Sequence, residues 1–287
     1  MFVFLHLKNN FRWYLLLLLV VLCLTLWFVT INENQKGLTF AALNIGQGDG
    51  LFIESPTGVK VLVDGGPNNN LIRELAFVMP WWDKHIDAII ITNSDSDHYS
   101  GFISLLQNYK VDAVIESGYR SQTADYVLLE KEIADKKIPE ILARRGEVID
   151  LGSGAQIKIL FPDRDVSGLA SNDASVVSRL SYGNTSVLLT GDSPIKIEDY
   201  LISLDGENLK STVLKVGHHG SKTSSSDEFV KTVAPQIAVI SAEKGNSYGF
   251  PHQQTLDTLN KYKVQIFGTY DLGRIILWSD GEKFVKK

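Results

Sequence analysis

A single cysteine, Cys23, stands in a chain of 287 residues. That excludes a disulfide framework and any thiolate-based zinc site. An excess of basic residues is also missing, since 28 Lys and Arg are set against 33 Asp and Glu. No global positive field draws the chain to a polyanion, so a nucleic acid would need local contacts. No repeat of fixed period is present, which removes solenoids and propellers.

Charge is absent altogether from Trp13 to Ile31, a run of mostly Leu, Val, Phe and Trp. At about 1.5 Å per helical residue it is long enough for the ~30 Å hydrocarbon core of a bilayer. Lys8 and Arg12 precede it, Glu33 follows, and Trp13, Tyr14 and Trp27 sit near its ends as interfacial aromatics do. A cleaved signal peptide would end in small residues, and Phe28–Asn32 offers none. The expectation is a tail at 1–12, one uncleaved transmembrane helix at 13–31, a linker at 32–37 and a domain at 38–287. The N-terminus then lies inside the cell membrane and the domain faces outward. Without Lys8 and Arg12 the body carries 26 basic and 33 acidic residues, a net charge of −7.

What the body does contain is short strands that alternate with helices. Leu38 to Leu43, Gly50 to Glu54 and Lys60 to Val63 read as an antiparallel meander, broken at Gly46–Asp49 and Ser55–Gly58. Helices are expected around Phe102 to Leu106 and from Thr123 to Lys136, with a hairpin turn at Asn184. Two sheets packed face to face, with helices outside, satisfy this order.

The chemistry concentrates where apolar strands stop. Ala88 to Ile91 runs into Thr92, Asn93, Ser94, Asp95, Ser96, Asp97 and His98. Two carboxylates and an imidazole within four residues suit a hard or borderline divalent cation, although a solvated Asp/Ser turn explains this loop better when it is taken alone. Two later segments shift that balance. Val187 to Leu189 leads into Thr190, Gly191 and Asp192, and Leu214 to Val216 leads into Gly217, His218, His219, Gly220 and Ser221. Three strand ends carrying Asp and His are what a shared metal site requires.

With these segments in view, the chain resembles the metallo-β-lactamase superfamily, and within it the hydrolase domain of ComEC-type competence proteins. The carriers are Leu43 to Gly50, Val61 to Gly66, the central loop, Asn172 to Val177, Leu189 to Asp192, His218 to Ser221 and Tyr248 to His252. They occur in the family's order and span nearly all of the body. The resemblance implies an α+β fold, the four-layer αββα sandwich, with the site at the top of the two sheets. It implies one or two divalent ions, Mn or Zn first and Mg next. Asp97, His98, Asp192 and one imidazole of the His218–His219 pair, with His219 favoured, would form the stronger site. Asp95 and Asp192 would form a weaker one, to which Asn93 adds at most an amide oxygen. Asp97, His218 and Asp95 would face the reacting groups. Asp49 or Asp64 would stand behind a metal ligand, against the simpler reading of Asp49 as part of a Gly-permitted turn. Asn172 and Ser221 would line the cleft, and His252 either joins the site or caps the next helix.

Two departures stand out. Asn93 occupies the position of the family's first histidine, and Phe250 replaces the first histidine of a Tyr-Gly-His-Pro-His pattern. The implied function is a metal-dependent phosphodiesterase or nuclease acting on single-stranded DNA or another phosphodiester outside the membrane. The alternative is a weakened binding module for nucleic acid or a partner protein that keeps the fold. Lys215, Lys222 and Lys244 are expected to supply a local basic patch, and Arg144–Arg145 to be a solvated turn.

Overall fold

Residues on the first strands alternate between two apolar environments, which is why these strands read as almost unbroken hydrophobic runs. Phe40, Ala42, Leu51, Ile53, Val61 and Val63 point into the space between two sheets. Ala41, Leu43, Phe52 and Leu62 point the other way, against Leu71, Leu75, Phe102 and Leu105 of the covering helices. The computed structural model describes the backbone of residues 3–34 and 37–287, and the side chains of 11–27 and 37–287. Within it the chain divides into two compact units, residues 1–36 and 37–287.

The first unit contains one helix, Val3–Asn34. Its described side chains, from Phe11 to Trp27, are exposed and, apart from Arg12, Cys23 and Thr25, are Leu, Val and aromatics. Among the described residues no helix is long and apolar enough to cross a membrane. Of the linker expected at 32–37, residues 32–34 continue the helix, and 35–36 lie outside the described residues.

The second unit is the expected sandwich. An eight-stranded sheet contains, in spatial order, Phe284–Lys286, Ile275–Ser279, Leu38–Ala42, Gly50–Glu54, Lys60–Gly65, Ala88–Ile91, Val114–Glu116 and Glu140–Leu142. A seven-stranded sheet runs from Gln265–Gly268 through Ile237–Ile240, Val213–Lys215, Thr185–Leu189, Val177–Tyr182 and Ala155–Phe161 to Val148–Gly152. Each sheet has a parallel section, Lys60–Gly65 to Glu140–Leu142 in one and Thr185–Leu189 to Gln265–Gly268 in the other. Parallel strands end on the same edge, so the loops after Val63, Ile91, Leu189 and Lys215 gather there.

Three expectations need correction. The central loop is shorter than expected, because a helix starts at Ser96 and runs to Asn108. Asp95 sits at its N-cap in an extended conformation and Asp97 lies in its first turn, where the amide ends favour negative charge. Arg145 lies in the expected turn but is only 28% exposed and tied down: it forms a two-pronged ion pair with Asp205 and donates to the Leu160 carbonyl. Lys215 is fully buried, so it belongs to no basic patch.

Candidate metal centre

Four side chains from three loops converge beyond the sheet edge. Asp97 and His98 come from the first turn of the Ser96–Asn108 helix, Asp192 from the loop after Thr185–Leu189, and His219 from the turn after Val213–Lys215. Asp192 Oδ2 is the hub, 3.2 Å from His98 Nε2, 3.5 Å from His219 Nε2 and 3.8 Å from His218 Nε2. His219 Nε2 is also 3.3 Å from Asp97 Oδ2. These spacings match the edges of a coordination shell, since two donors each about 2.1 Å from one cation lie about 3.0–3.4 Å apart.

The backbone is bent to achieve this. His218 and His219 both adopt left-handed conformations, with φ of 48° and 55°, and Asp64 has φ of 60°. Non-glycine residues in this region cost on the order of 1–3 kcal/mol each and persist where function demands them. The turn before the second strand presses against the same helix: Asp49 N donates to the Asp97 carbonyl, and a Cβ on Gly48 would lie 2.1 Å from that oxygen. Only glycine permits the approach.

Behind the ring nitrogens stands a second layer. Asp64 Oδ2 accepts the Nδ1–H of His98 at 2.8 Å, and Asp64 is itself held by the Thr92 N–H and hydroxyl. His219 Nδ1 donates to the Ser241 carbonyl at 3.0 Å, with Asp49 Oδ1 3.5 Å away. Both bonds turn Nε2 toward the centre, as ligating histidines require. Asp49 in turn accepts the buried Lys215 ammonium at 2.7 Å.

The donor set fits a divalent cation. His98 Nε2, His219 Nε2, Asp192 Oδ1 and Asp49 Oδ1 are buried without a hydrogen-bond partner among the described residues. Orphaned buried donors and acceptors are costly, and here both ring nitrogens face the Asp192 carboxylate. Burial opposes charge on His98, but Asp192 and Asp64 outweigh it and hold its pKa well above the ordinary value. His219 is raised the same way by Asp192 and Asp49. The carboxylates therefore draw positive charge to this point, and a bound cation can replace the two protons.

The remaining expected residues separate. Asp95 lines the open cavity of about 390 Å³ above the centre, together with Asp97, Asp192, His218 and His219. His218, 25% exposed, bonds Thr223 through Nδ1, and burial lowers its pKa, so it is a neutral ring on the solvent side. Asn93 is buried, with its Oδ1 taken by the Asp95 N–H and its Nδ2 unpartnered. Ser221 accepts the Thr223 N–H inside its own turn. His252 holds the N-cap position of Gln253–Lys261 without capping it, and its Nδ1 accepts the Lys222 N–H. Asn172 lies in a short 3₁₀ turn with Oδ1 buried and unpartnered. Sequence reading missed the other wall residues Ser94, Ser96, Ser121 and Thr123, whose hydroxyls carry no spacing signal. It also missed the role of Lys215, although a lysine inside an apolar strand was the available sign.

With sandwich and centre established, the class follows: the chain belongs to the metallo-β-lactamase superfamily, whose family model matches residues 43–243. Competence-related proteins are among its relatives. ComE operon protein 3 of Bacillus subtilis is 31% identical over 81% of this chain and 32% of its own length. Recombination protein 2 of Haemophilus influenzae is 29% identical over 90% of this chain and 31% of its own. The chain thus spans about a third of the relatives it matches. A metallo hydrolase of the archaeon Ignicoccus hospitalis superposes with a TM-score of 0.53 at 12% identity, covering 87% of this chain and 98% of its own, which supports the fold.

Proposed function

We propose that this chain is a metal-dependent phosphodiesterase whose substrate is single-stranded DNA or a related phosphodiester. The observation that carries this reading is the convergence of Asp97, His98, Asp192 and His219, the last three with buried unpartnered atoms among the described residues, at an open polar cavity. Asp97, His98, Asp192 and His219 would hold the ion, and Asp95, which lines the same cavity, would with Asp192 hold a weaker second one. A bound divalent ion supplies Lewis acidity, polarising a phosphoryl oxygen and making water a better nucleophile. The protein's own part is positioning. Asp64 and the Ser241 carbonyl aim the two imidazoles, Lys215 holds Asp49, and neutral His218 offers a hydrogen bond at the cavity mouth. DNA is favoured over other phosphodiesters by the competence proteins among the relatives.

We place the domain at the outer face of the cell membrane, anchored by residues 13–31. The uncharged run and the exposed apolar side chains on the N-terminal helix support this. A protease-protection assay on intact cells, in which the domain resisted digestion until the cells were lysed, would reverse that orientation.

A binding module is the second reading, and one observation favours it: the Asn93 carbonyl is committed to the Asp95 N–H, so it donates nothing to a second ion. The full chain with manganese is expected to hydrolyse single-stranded DNA and a chromogenic phosphodiester, with loss of turnover in Asp97→Ala. Turnover that persists in Asp97→Ala and His98→Ala would sink the hydrolase reading. Bound metal without turnover, with a large gain in Asn93→His, would favour the binding module.

A further inference from the structure

The cavity above the metal centre has two unlike walls. One is built of hydroxyls from Ser94, Ser96, Ser121 and Thr123, and the other of Tyr248 and Phe250. None of the described residues lining it is Lys or Arg. Apart from an ion at the centre, the lining offers a polyanion no cationic side chain, so contacts with this cavity's walls would be uncharged or acidic.

The aromatic wall is ordered for such a contact. The Tyr248 and Phe250 rings stack 5.5 Å apart at an interplanar angle of 14°. Phe250 also meets His218 and His252 edge-on, at 5.4 and 5.1 Å, and its inner side packs on the apolar cluster beneath. Packing accounts for Phe250, but it does not account for Tyr248, which is 64% exposed with its outer face in solvent. The loop carrying both rings is fixed by one side chain. Asn246 Oδ1 accepts the N–H groups of Tyr248 and Phe250, while its Nδ2 donates to the Glu243 and Phe250 carbonyls. Across from this loop, Gln47 Oε1 accepts the Glu243 N–H, and its Nε2 is buried at the cavity without a partner among the described residues.

We propose that Tyr248 and Phe250, held by Asn246, form a stacking shelf for a nucleobase of single-stranded nucleic acid, with the Gln47 amide as the adjacent hydrogen-bond donor. This rests on the phosphodiesterase reading and names how that site recognises its substrate. Stacking on aromatic side chains is the sequence-tolerant way to hold single strands, because every base presents a flat π-face. A quaternary ammonium group is the competing ligand for aromatic rings beside carboxylates, but it is recognised by rings that converge around a point. Near-parallel rings leave a flat surface instead. On this view Phe250, which gave up the imidazole of the family pattern, backs the shelf.

The test uses the full chain carrying Asp97→Asn to silence turnover, with a fluorescent oligothymidylate and an abasic oligonucleotide of equal length and charge. The base-bearing strand is expected to bind more tightly by on the order of 10- to 100-fold. Tyr248→Leu should abolish the difference, Tyr248→Phe should keep it, and Asn246→Ala should reduce it, with unchanged circular dichroism checking the fold. Equal affinity for the two strands, or a Tyr248→Leu loss that is the same for both, overturns the shelf. Wild-type hydrolysis with manganese is scored separately. Cleavage without base preference refutes the shelf alone, whereas base preference in binding with no cleavage of any phosphodiester supports the shelf and refutes the phosphodiesterase reading.

Discussion

Among the described residues, two places bring a histidine and two aspartates within 4.8 Å of one another, and they differ in how well they are built to hold a metal. At His98, Asp49 and Asp192 the groups are buried, and their inward atoms have no partner among the described residues. At His85, Asp87 and Asp112 the groups are partly exposed and already satisfied. His85 bonds Asp112 at 2.7 Å, Lys110 bonds Asp112 at 2.6 Å, and Asp87 accepts the Lys60 N–H at 2.7 Å. Proximity of donors is therefore a weak criterion, because surface carboxylates attract lysines and water as readily as ions. The stronger criterion is an unmet hydrogen-bonding demand enforced by burial, with supporting groups that aim it. Asp64 behind His98 has no counterpart at the surface cluster.

The contrast can be tested from its strongest end. Asp192→Asn removes the hub of the buried site, and both manganese affinity and phosphodiester turnover are expected to fall by on the order of 10³-fold, beyond the 10–100-fold typical of outer-layer changes. Metal content by elemental analysis and initial rates measure this, and near-normal manganese binding would refute the assignment. Lys215→Met leaves the Asp49 carboxylate buried without its ammonium, which should destabilise the domain by about 3–5 kcal/mol. Urea unfolding measures it, and adding Asp49→Asn should restore part of the loss.

Glu198 gives a pH-dependent case within the same sheet-edge architecture. Burial raises its pKa from 4.5 to about 7, although the Ser225 and Ser226 N–H groups work against the rise. The folded state then keeps a proton that the unfolded chain releases between those values. This contribution to stability is complete below pH 4.5, declines as pH rises through the window and levels off above about 7. It amounts to on the order of 3 kcal/mol. The difference in unfolding free energy between the native chain and Glu198→Gln should follow that slope, and a flat difference would contradict it. Smallest is the surface cluster: His85→Ala should leave bound metal unchanged and shift stability by less than about 1 kcal/mol.

Much of the site was legible before the fold. The loop after Ile91, Asp192 and the His218–His219 pair each announce themselves as Asp or His directly after an apolar strand. Asp49 and Asp64 lie next to glycines in turns of the same kind. The fold class was legible through the resemblance, whose motifs occur in the family's order, and the alternation of strands and helices was consistent with two packed sheets under helices. The helix starting at Ser96 was not. Ser, Asp and His have poor helix propensity, and the segment becomes helical because Gly48 and the Asp49 N–H dock against its first turn, while Gly101 within the helix lets the Gly65–Asn68 backbone approach closely.

The sequence by itself determined the donors, their order and the strand ends that carry them, because hydrophobic patterning and local turn chemistry act over a few residues. Tertiary structure alone decided which donors meet. Asp97 faces His219, and Lys215 is spent on Asp49 and not on substrate. These pairings join residues far apart in the chain through sheet packing and left-handed turns, where a shift of one residue would send each side chain to the opposite face.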